Sequence, residues 1–383
     1  MEAVILAGGL GTRLRSVVSE LPKCLAPVGG RPFLEYLLAY LAGSGFTRVV
    51  LSVGYLKEAV MDFVNGREWP FEVAWAVEEE PLGTGGAIRL ALSECIEDKV
   101  FILNGDSFFP VDFGAMSLEG PVGIALKPMR HFSRYGAVRT RSGKVVAFSE
   151  KAFCEEGLIN GGVYVVDRKK LDMASLGAKF SFEKDVLEPL SGEGIIDASV
   201  QDRYFIDIGI PEDFERAQYE LPEYFSVKRA SEEALLSGAS TLFLDRDGVV
   251  NRHLPGDYVR SWSMFAFLPG VLEEFPKWAR SFNRIVMVTN QRGVGKGLMS
   301  DEDLADIHSR MQKEIEAAGG RLDAIFACTS LSEDDPSRKP NTGMFESAAA
   351  LFPDIEARDS VMIGDSASDA EFASRCGMRF ILV

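Results

Sequence analysis

Val4-Ile5-Leu6-Ala7-Gly8-Gly9-Leu10-Gly11-Thr12-Arg13-Leu14 begins as an apolar run and ends in a glycine-rich turn. A short run rich in β-branched residues reads as a strand, and a turn without side chains lets backbone N–H groups approach phosphate oxygens closely. Outward from it, the apolar runs Val49-Val50-Leu51, Val73 to Val77 and Val100 to Leu103 alternate with helical-period segments at 33–43, 57–64 and 85–93. That rhythm predicts β-α-β units about a mostly parallel sheet. A second rhythm starts at Leu242-Phe243-Leu244, passes through Ile285 to Val288 and a helix over 301–317, and reaches Val361-Met362-Ile363. The expectation is an α/β chain of two different domains, 1–222 and 240–383, joined by a polar linker over 223–239.

Composition narrows the function. With 383 residues, 46 % hydrophobic and 26 % charged, the chain suits packed domains and excludes disordered or fibrous designs. Lys and Arg total 41 against 57 Asp and Glu, a net charge of −16 that repels polyanions, so no nucleic-acid partner is expected. No stretch reaches the roughly 18 apolar residues of a membrane span, and the N-terminus lacks a basic leader, which predicts a cytoplasmic protein without a membrane partner. The five cysteines, at 24, 95, 154, 328 and 376, form no C-x-x-C pair and read as reduced thiols.

The glycine-rich turn is neither a dinucleotide fingerprint, since Leu14 stands where glycine is needed, nor a P-loop, which needs Gly-Lys-Ser/Thr. Taken alone it also fits a plain tight turn. Arg13 and Lys23 add positive charge suited to a triphosphate. Asp106, in Leu103-Asn104-Gly105-Asp106, follows a strand, where open α/β sheets bind ligands. Asp207 sits between Ile206 and Ile208, where a carboxylate is costly unless paired or bound to metal. With Pro81-Leu82-Gly83-Thr84-Gly85-Gly86-Ala87 and Asn160-Gly161-Gly162-Val163-Tyr164, these motifs in order resemble the sugar-phosphate nucleotidyltransferase family, which joins a sugar 1-phosphate to a nucleoside triphosphate. The resemblance implies a Rossmann-like mixed sheet. It also implies that Gly8, Gly9, Gly11, Thr12 and Arg13 wrap the triphosphate, that Lys23 contacts the reacting phosphates, and that Gly83, Thr84 and Gly85 lie against the base. Asp106 and Asp207 would hold Mg²⁺, and Tyr135, Gly136, Glu150, Lys151, Asn160 and Glu183 the sugar phosphate. Ser181 and Glu183 equally fit a helix start.

In Asp245-Arg246-Asp247-Gly248, two acids stand two residues apart at a strand end, so one can attack phosphorus while the other moves a proton. With Thr289-Asn290, Arg338-Lys339-Pro340 and Gly364-Asp365-Ser366-Ala367-Ser368-Asp369, they resemble the haloacid dehalogenase (HAD) superfamily, implying a HAD-like Rossmannoid parallel sheet. By that resemblance Asp245 is nucleophile and Mg²⁺ ligand. Asp247 is general acid/base and a ligand through its carbonyl, and Asp365 completes the metal site. Thr289, Asn290, Arg338 and Lys339 bind the phosphoryl group, and Asp369 orients the Asp365 loop or caps a helix. Gly293 to Gly297 only mimics a P-loop, with Asn290 and Gly297 at positions that need Gly and Ser/Thr.

The stretch 289–298 is similar to the histidinol-phosphate and heptose-bisphosphate phosphatases. Residues 328–338 hold one cysteine and no histidine, so no structural zinc is expected. His131, His253 and His308 read as solvated or packed. The two resemblances imply one pathway: removal of the 7-phosphate of D-glycero-D-manno-heptose 1,7-bisphosphate, then transfer of GMP from GTP to heptose 1-phosphate. The partners expected are GTP or another nucleoside triphosphate and sugar phosphates, with Mg²⁺ at both sites. Base, anomer and homo-oligomerisation stay open. The alternative is a hexose 1-phosphate nucleotidyltransferase fused to a general sugar-phosphate phosphatase.

Overall fold

Glu2–Leu6 is the strand that the opening run forms in the computed structural model, which describes residues 1–9 and 21–383. Its Ala3, Val4 and Ile5 are fully buried on both faces, and parallel strands flank it on both edges. A strand covered on both faces has no reason to alternate polar and apolar residues, which is why a continuous apolar run marked it. The chain divides into two units, Met1–Tyr219 and Glu220–Val383.

Among the described residues, nine strands of the first unit form one mixed sheet. Their order is Glu72–Val77, Arg48–Val53, Glu2–Leu6, Lys99–Asn104, Cys154–Asp167, Val122–Phe132, Ile196–Val200, Lys144–Lys151, Gly136–Arg141. The first four run parallel, connected by the helices Phe33–Gly43, Lys57–Asn65 and Gly83–Ser93, within two residues of the segments read from periodicity. Cys154–Asp167 then runs antiparallel to both its neighbours. Leu6 and Asn104 end adjacent parallel strands, and Gly105 N–H donates to Leu6 O at 3.1 Å. The segments carrying Gly8 and Asp106 therefore emerge side by side at the carboxyl edge, where open sheets hold ligands.

The second unit is a five-stranded parallel sheet in the order Ala324–Cys328, Arg284–Asn290, Thr241–Leu244, Ser360–Gly364, Arg379–Leu382. Its first and fourth strands in chain order are neighbours, so connections leave in opposite directions there. Asp245 and Asp365 follow those two strands at the switch point.

The expected linker at 223–239 is different in the structure. Residues 223–236 belong to one helix, Pro211–Leu236, and Val227, Ala230 and Ala234 are buried in the second unit's core with Phe275 and Trp278. Spaced three and four apart, they form one apolar stripe, so the segment is a packed helix and not a polar connector.

Candidate active sites

A cavity of about 500 Å³ opens at the carboxyl edge of the first sheet, and Gly8, Gly9, Lys23, Gly83, Thr84, Asp106 and Asp207 all line it. Gly11, Thr12 and Arg13 lie outside the described residues. Ile206–Asp207 pairs antiparallel with Ser107–Phe108, and Ile208 N–H donates to Asp106 O at 2.9 Å, so backbone pairing brings the two aspartates together. Lys23 Nζ lies 2.5 Å from Asp106 Oδ2. Asp207 Oδ1 accepts from Gly209 N–H at 2.7 Å, and Oδ2 accepts from the Tyr135 hydroxyl at 3.5 Å. Burial and then Asp106 push the Asp207 carboxyl up, with Lys23 opposing them. Two converging carboxylates, one short of compensating charge, form an all-oxygen donor set suited to a hard divalent cation.

A smaller cavity of about 270 Å³ is lined by Arg134, Tyr135, Lys151, Asp207, Gly209 and Asp213. Asp207 and Gly209 line both cavities, so a ligand in each would meet at Asp207. Of the residues expected to hold a sugar phosphate, Tyr135 and Lys151 are here. Gly136, Glu150, Asn160 and Glu183 are not among the cavity's lining residues. Gly136 starts a strand where a Cβ would collide with Ser149 O, and Glu150 is exposed. Asn160 donates to the Tyr164 hydroxyl at 2.9 Å and accepts from Gly162 N–H at 3.0 Å, which leaves one N–H and one lone pair of its amide.

Glu183 braces the start of the helix Gly83–Ser93. Its Oε2 accepts from Thr84 Oγ1 at 2.8 Å and Ser181 Oγ at 3.0 Å, while Thr84 Oγ1 accepts from Phe182 N–H at 2.9 Å. Gly85, expected against the base, faces inward instead: a Cβ there would collide with the Phe180 ring. Gly85→Ala is accordingly expected to cost about 1–3 kcal/mol by overpacking, read as a lower urea midpoint.

Sequence reasoning missed Glu78. It lines the large cavity, and its Oε1 would sit 2.5 Å from a Cβ on Gly8. Leu82 N–H donates to its Oε2 at 3.1 Å and Ser52 Oγ to its Oε1 at 3.3 Å, which fixes the carboxylate while leaving lone pairs for a ligand. The available signal was its place just past the strand Glu72–Val77, the same strand-end position that singled out Asp106.

In the second unit, oxygens of Asp245, Asp365 and Asp369 lie within 4.8 Å of one another. Lys339 Nζ donates to Asp245 Oδ1 at 2.7 Å and Asp369 Oδ1 at 2.5 Å. Burial pushes Asp245 up to about 7 despite Lys339, and burial with Asp369 also raises Asp365. These acids are short of positive charge, so the set fits a divalent cation. Gly248, at φ 84°, admits Asp365 where any Cβ would collide with it. Asp369 is both reciprocal cap of the helix Ala367–Cys376, with Ser366, and partner of Lys339.

Thr289 is buried and its Oγ1 accepts from Gln291 Nε2 at 2.8 Å. Asn290, expected on phosphate, instead holds the Lys339 backbone, donating to its O and accepting from its N, both at 3.0 Å. Arg338 donates to Ser330 O at 3.2 Å. Asp247 is enclosed by Arg246, Asn251 and Gln291, which outweigh burial and hold its carboxyl below the usual range. His308 packs on Arg246, with burial and that guanidinium pushing it down to about 4.

Residues 2–223 match the Nucleotidyl transferase family, and residues 336–383 match a HAD-hydrolase-like family. The chain is 47 % identical over 229 residues to D-glycero-alpha-D-manno-heptose 1-phosphate guanylyltransferase of Aneurinibacillus thermoaerophilus, across 58 % of this chain and 100 % of that one. It is 43 % identical over 133 residues to D-glycero-alpha-D-manno-heptose-1,7-bisphosphate 7-phosphatase of Mycobacterium tuberculosis, across 34 % of this chain and 70 % of that one. The crystal structure of HddC from Yersinia pseudotuberculosis complexed with GMP-PN is similar at a TM-score of 0.52 and 37 % identity, across 57 % of this chain and 97 % of that one. Among the described residues no helix is long and apolar enough to cross a membrane.

Proposed function

The chain belongs to the nucleotidyl transferase family and carries a HAD-like phosphatase domain behind it, and from this we propose that it is a bifunctional enzyme of nucleotide-activated heptose synthesis. One unit hydrolyses the 7-phosphate of D-glycero-D-manno-heptose 1,7-bisphosphate. The other transfers GMP from GTP to the resulting heptose 1-phosphate, giving GDP-heptose and pyrophosphate. One observation carries the reading: each unit is similar to a different enzyme, and the 7-phosphatase yields the guanylyltransferase's substrate.

The residues support a division of labour. Asp106 and Asp207 would hold Mg²⁺ in the first unit, and Asp245 and Asp365, with the Asp247 carbonyl, in the second. When bound, the cation neutralises phosphate oxygens that would otherwise repel an incoming nucleophile. Lys23 brings an ammonium to the reacting phosphates, and Lys151 and Arg134 offer positive charge to the sugar phosphate beside Asp207. In-line displacement at phosphorus then needs no protein nucleophile. In the second unit Asp245 attacks the 7-phosphate and Asp247 gives a proton to the departing sugar oxygen. Asp247 then takes a proton from the water that hydrolyses the phosphoaspartate, while Lys339 keeps Asp245 oriented.

Incubating the full chain with heptose 1,7-bisphosphate, GTP and Mg²⁺ is expected to yield GDP-heptose with one phosphate and one pyrophosphate per turnover. Release of phosphate without GDP-heptose, although heptose 1-phosphate accumulates, refutes the coupled reading.

Glu78 supports guanine as the base. Guanine presents adjacent donors, N1–H and N2–H, to one carboxylate, whereas the pairing edges of adenine, cytosine and uracil all mix donor with acceptor. Glu78→Gln keeps the shape and places a donor against a donor. It is expected to lower kcat/KM for GTP about 10–100-fold, the worth of a charge-assisted hydrogen-bond pair, and to narrow the preference for GTP in a triphosphate panel.

A further inference from the structure

Asp247 is held by more groups than a surface carboxylate would attract. Its Oδ1 accepts from Arg246 Nη2 at 3.0 Å and Asn251 Nδ2 at 2.8 Å, and its Oδ2 accepts from Arg246 Nη2 at 3.0 Å and Gln291 Nε2 at 2.8 Å. Arg246 itself is fully buried, and its Nε has no partner among the described residues. Burying a guanidinium with one N–H unsatisfied is costly, and an apolar side chain would serve packing alone better. The side-chain partners of this charge are Asp247 and, through Nη1 at 3.2 Å, Nε2 of His308. His308 projects from the helix Asp301–Ala317, and a neutral ring accepting from Arg246 steers that guanidinium. Gln291 donates to Asp247 from another strand end and ties it to Thr289 through the same Nε2.

Resting on the phosphatase reading of the second unit, we propose that His308, acting through Arg246, and Gln291 are positioning residues that aim the Asp247 carboxyl group at the leaving oxygen. The chemistry balances within that reading. Asp247, which its N–H donors hold as a carboxylate in the free protein, must take up a proton as substrate binds. As the bond from phosphorus to the sugar oxygen breaks and the Asp245 Oδ–P bond forms, that proton passes to the departing alkoxide. Asp247, now a carboxylate, regains a proton from the attacking water in the second half-reaction.

A positioning role for proton donation has a signature that a merely structural role lacks. An alkoxide needs the proton to leave, but 4-nitrophenolate does not. The measured quantity is kcat/KM, which reports the steps through leaving-group departure and is blind to the later hydrolysis. In full-length His308→Ala, kcat/KM for heptose 1,7-bisphosphate is expected to fall at least tenfold relative to 4-nitrophenyl phosphate. His308→Gln, whose carbonyl can still accept from Arg246, is expected to restore most of the loss. Gln291→Met tests the other arm of the clamp and is expected to shift the same ratio in the same direction, so the inference stays testable if one variant fails to fold. Equal losses on both esters, or no loss on either, overturn the clamp. A wild-type chain that hydrolyses neither ester overturns the phosphatase reading instead.

Discussion

Asp245→Asn is expected to lower hydrolysis of heptose 1,7-bisphosphate on the order of 10⁴-fold or more, the scale on which removing a nucleophile acts, and to leave guanylyl transfer to supplied heptose 1-phosphate intact. Asparagine has nearly the same shape but cannot form the acyl phosphate. The fold should tolerate the change, because Lys339 keeps its 2.5 Å partner Asp369 and so is not left as an unpaired buried charge. Phosphate release from the bisphosphate and pyrophosphate release from GTP, measured on the same preparation, check both halves of the expectation. Loss of both activities together would mean that the two sites are not independent.

The acids at strand ends were legible because a carboxylate directly after a buried apolar strand has few structural uses. Asp106, Asp245 and Asp365 are readable this way from the sequence alone, as are the parallel strands that carry them. Residues whose work depends on convergence from distant segments are not. Glu78 meets Gly8 across 70 positions, and His308 reaches Arg246 across 62, distances that no local pattern encodes. Motif residues also have structural work that the sequence does not spell out. Gly85, Asn160, Glu183 and Asn290 stand in recognisable segments, and the structure also uses their small size or amide and carboxylate groups for packing and for hydrogen bonds to neighbouring segments. The segment 223–236 was misread for a physical reason as well. Its apolar stripe of Val227, Ala230 and Ala234 is thin, and alanine contributes little to a hydrophobic pattern even when fully buried.

Asp207→Asn is expected to produce the reciprocal defect, a loss of guanylyl transfer of about 10³-fold with phosphatase activity retained, the scale of removing a group that stabilises charge in the transition state. Asp207 is the better test than Asp106 because it lines both cavities, whereas Asp106 also pairs with Lys23 at 2.5 Å, so its removal would free that ammonium as well. Burial and Asp106 already push the Asp207 carboxyl up, so neutralising it relieves the free protein, and the unit should stay folded. Given bisphosphate and GTP together, Asp207→Asn should release phosphate and accumulate heptose 1-phosphate, with no pyrophosphate above background. Asp245→Asn should leave the bisphosphate untouched. Mixing the two variants should then restore GDP-heptose, because heptose 1-phosphate released by one chain can diffuse to the other. An inactive mixture would mean that Asp207→Asn does not release heptose 1-phosphate or that Asp245→Asn cannot use it, and either result refutes the division of labour between the two sites.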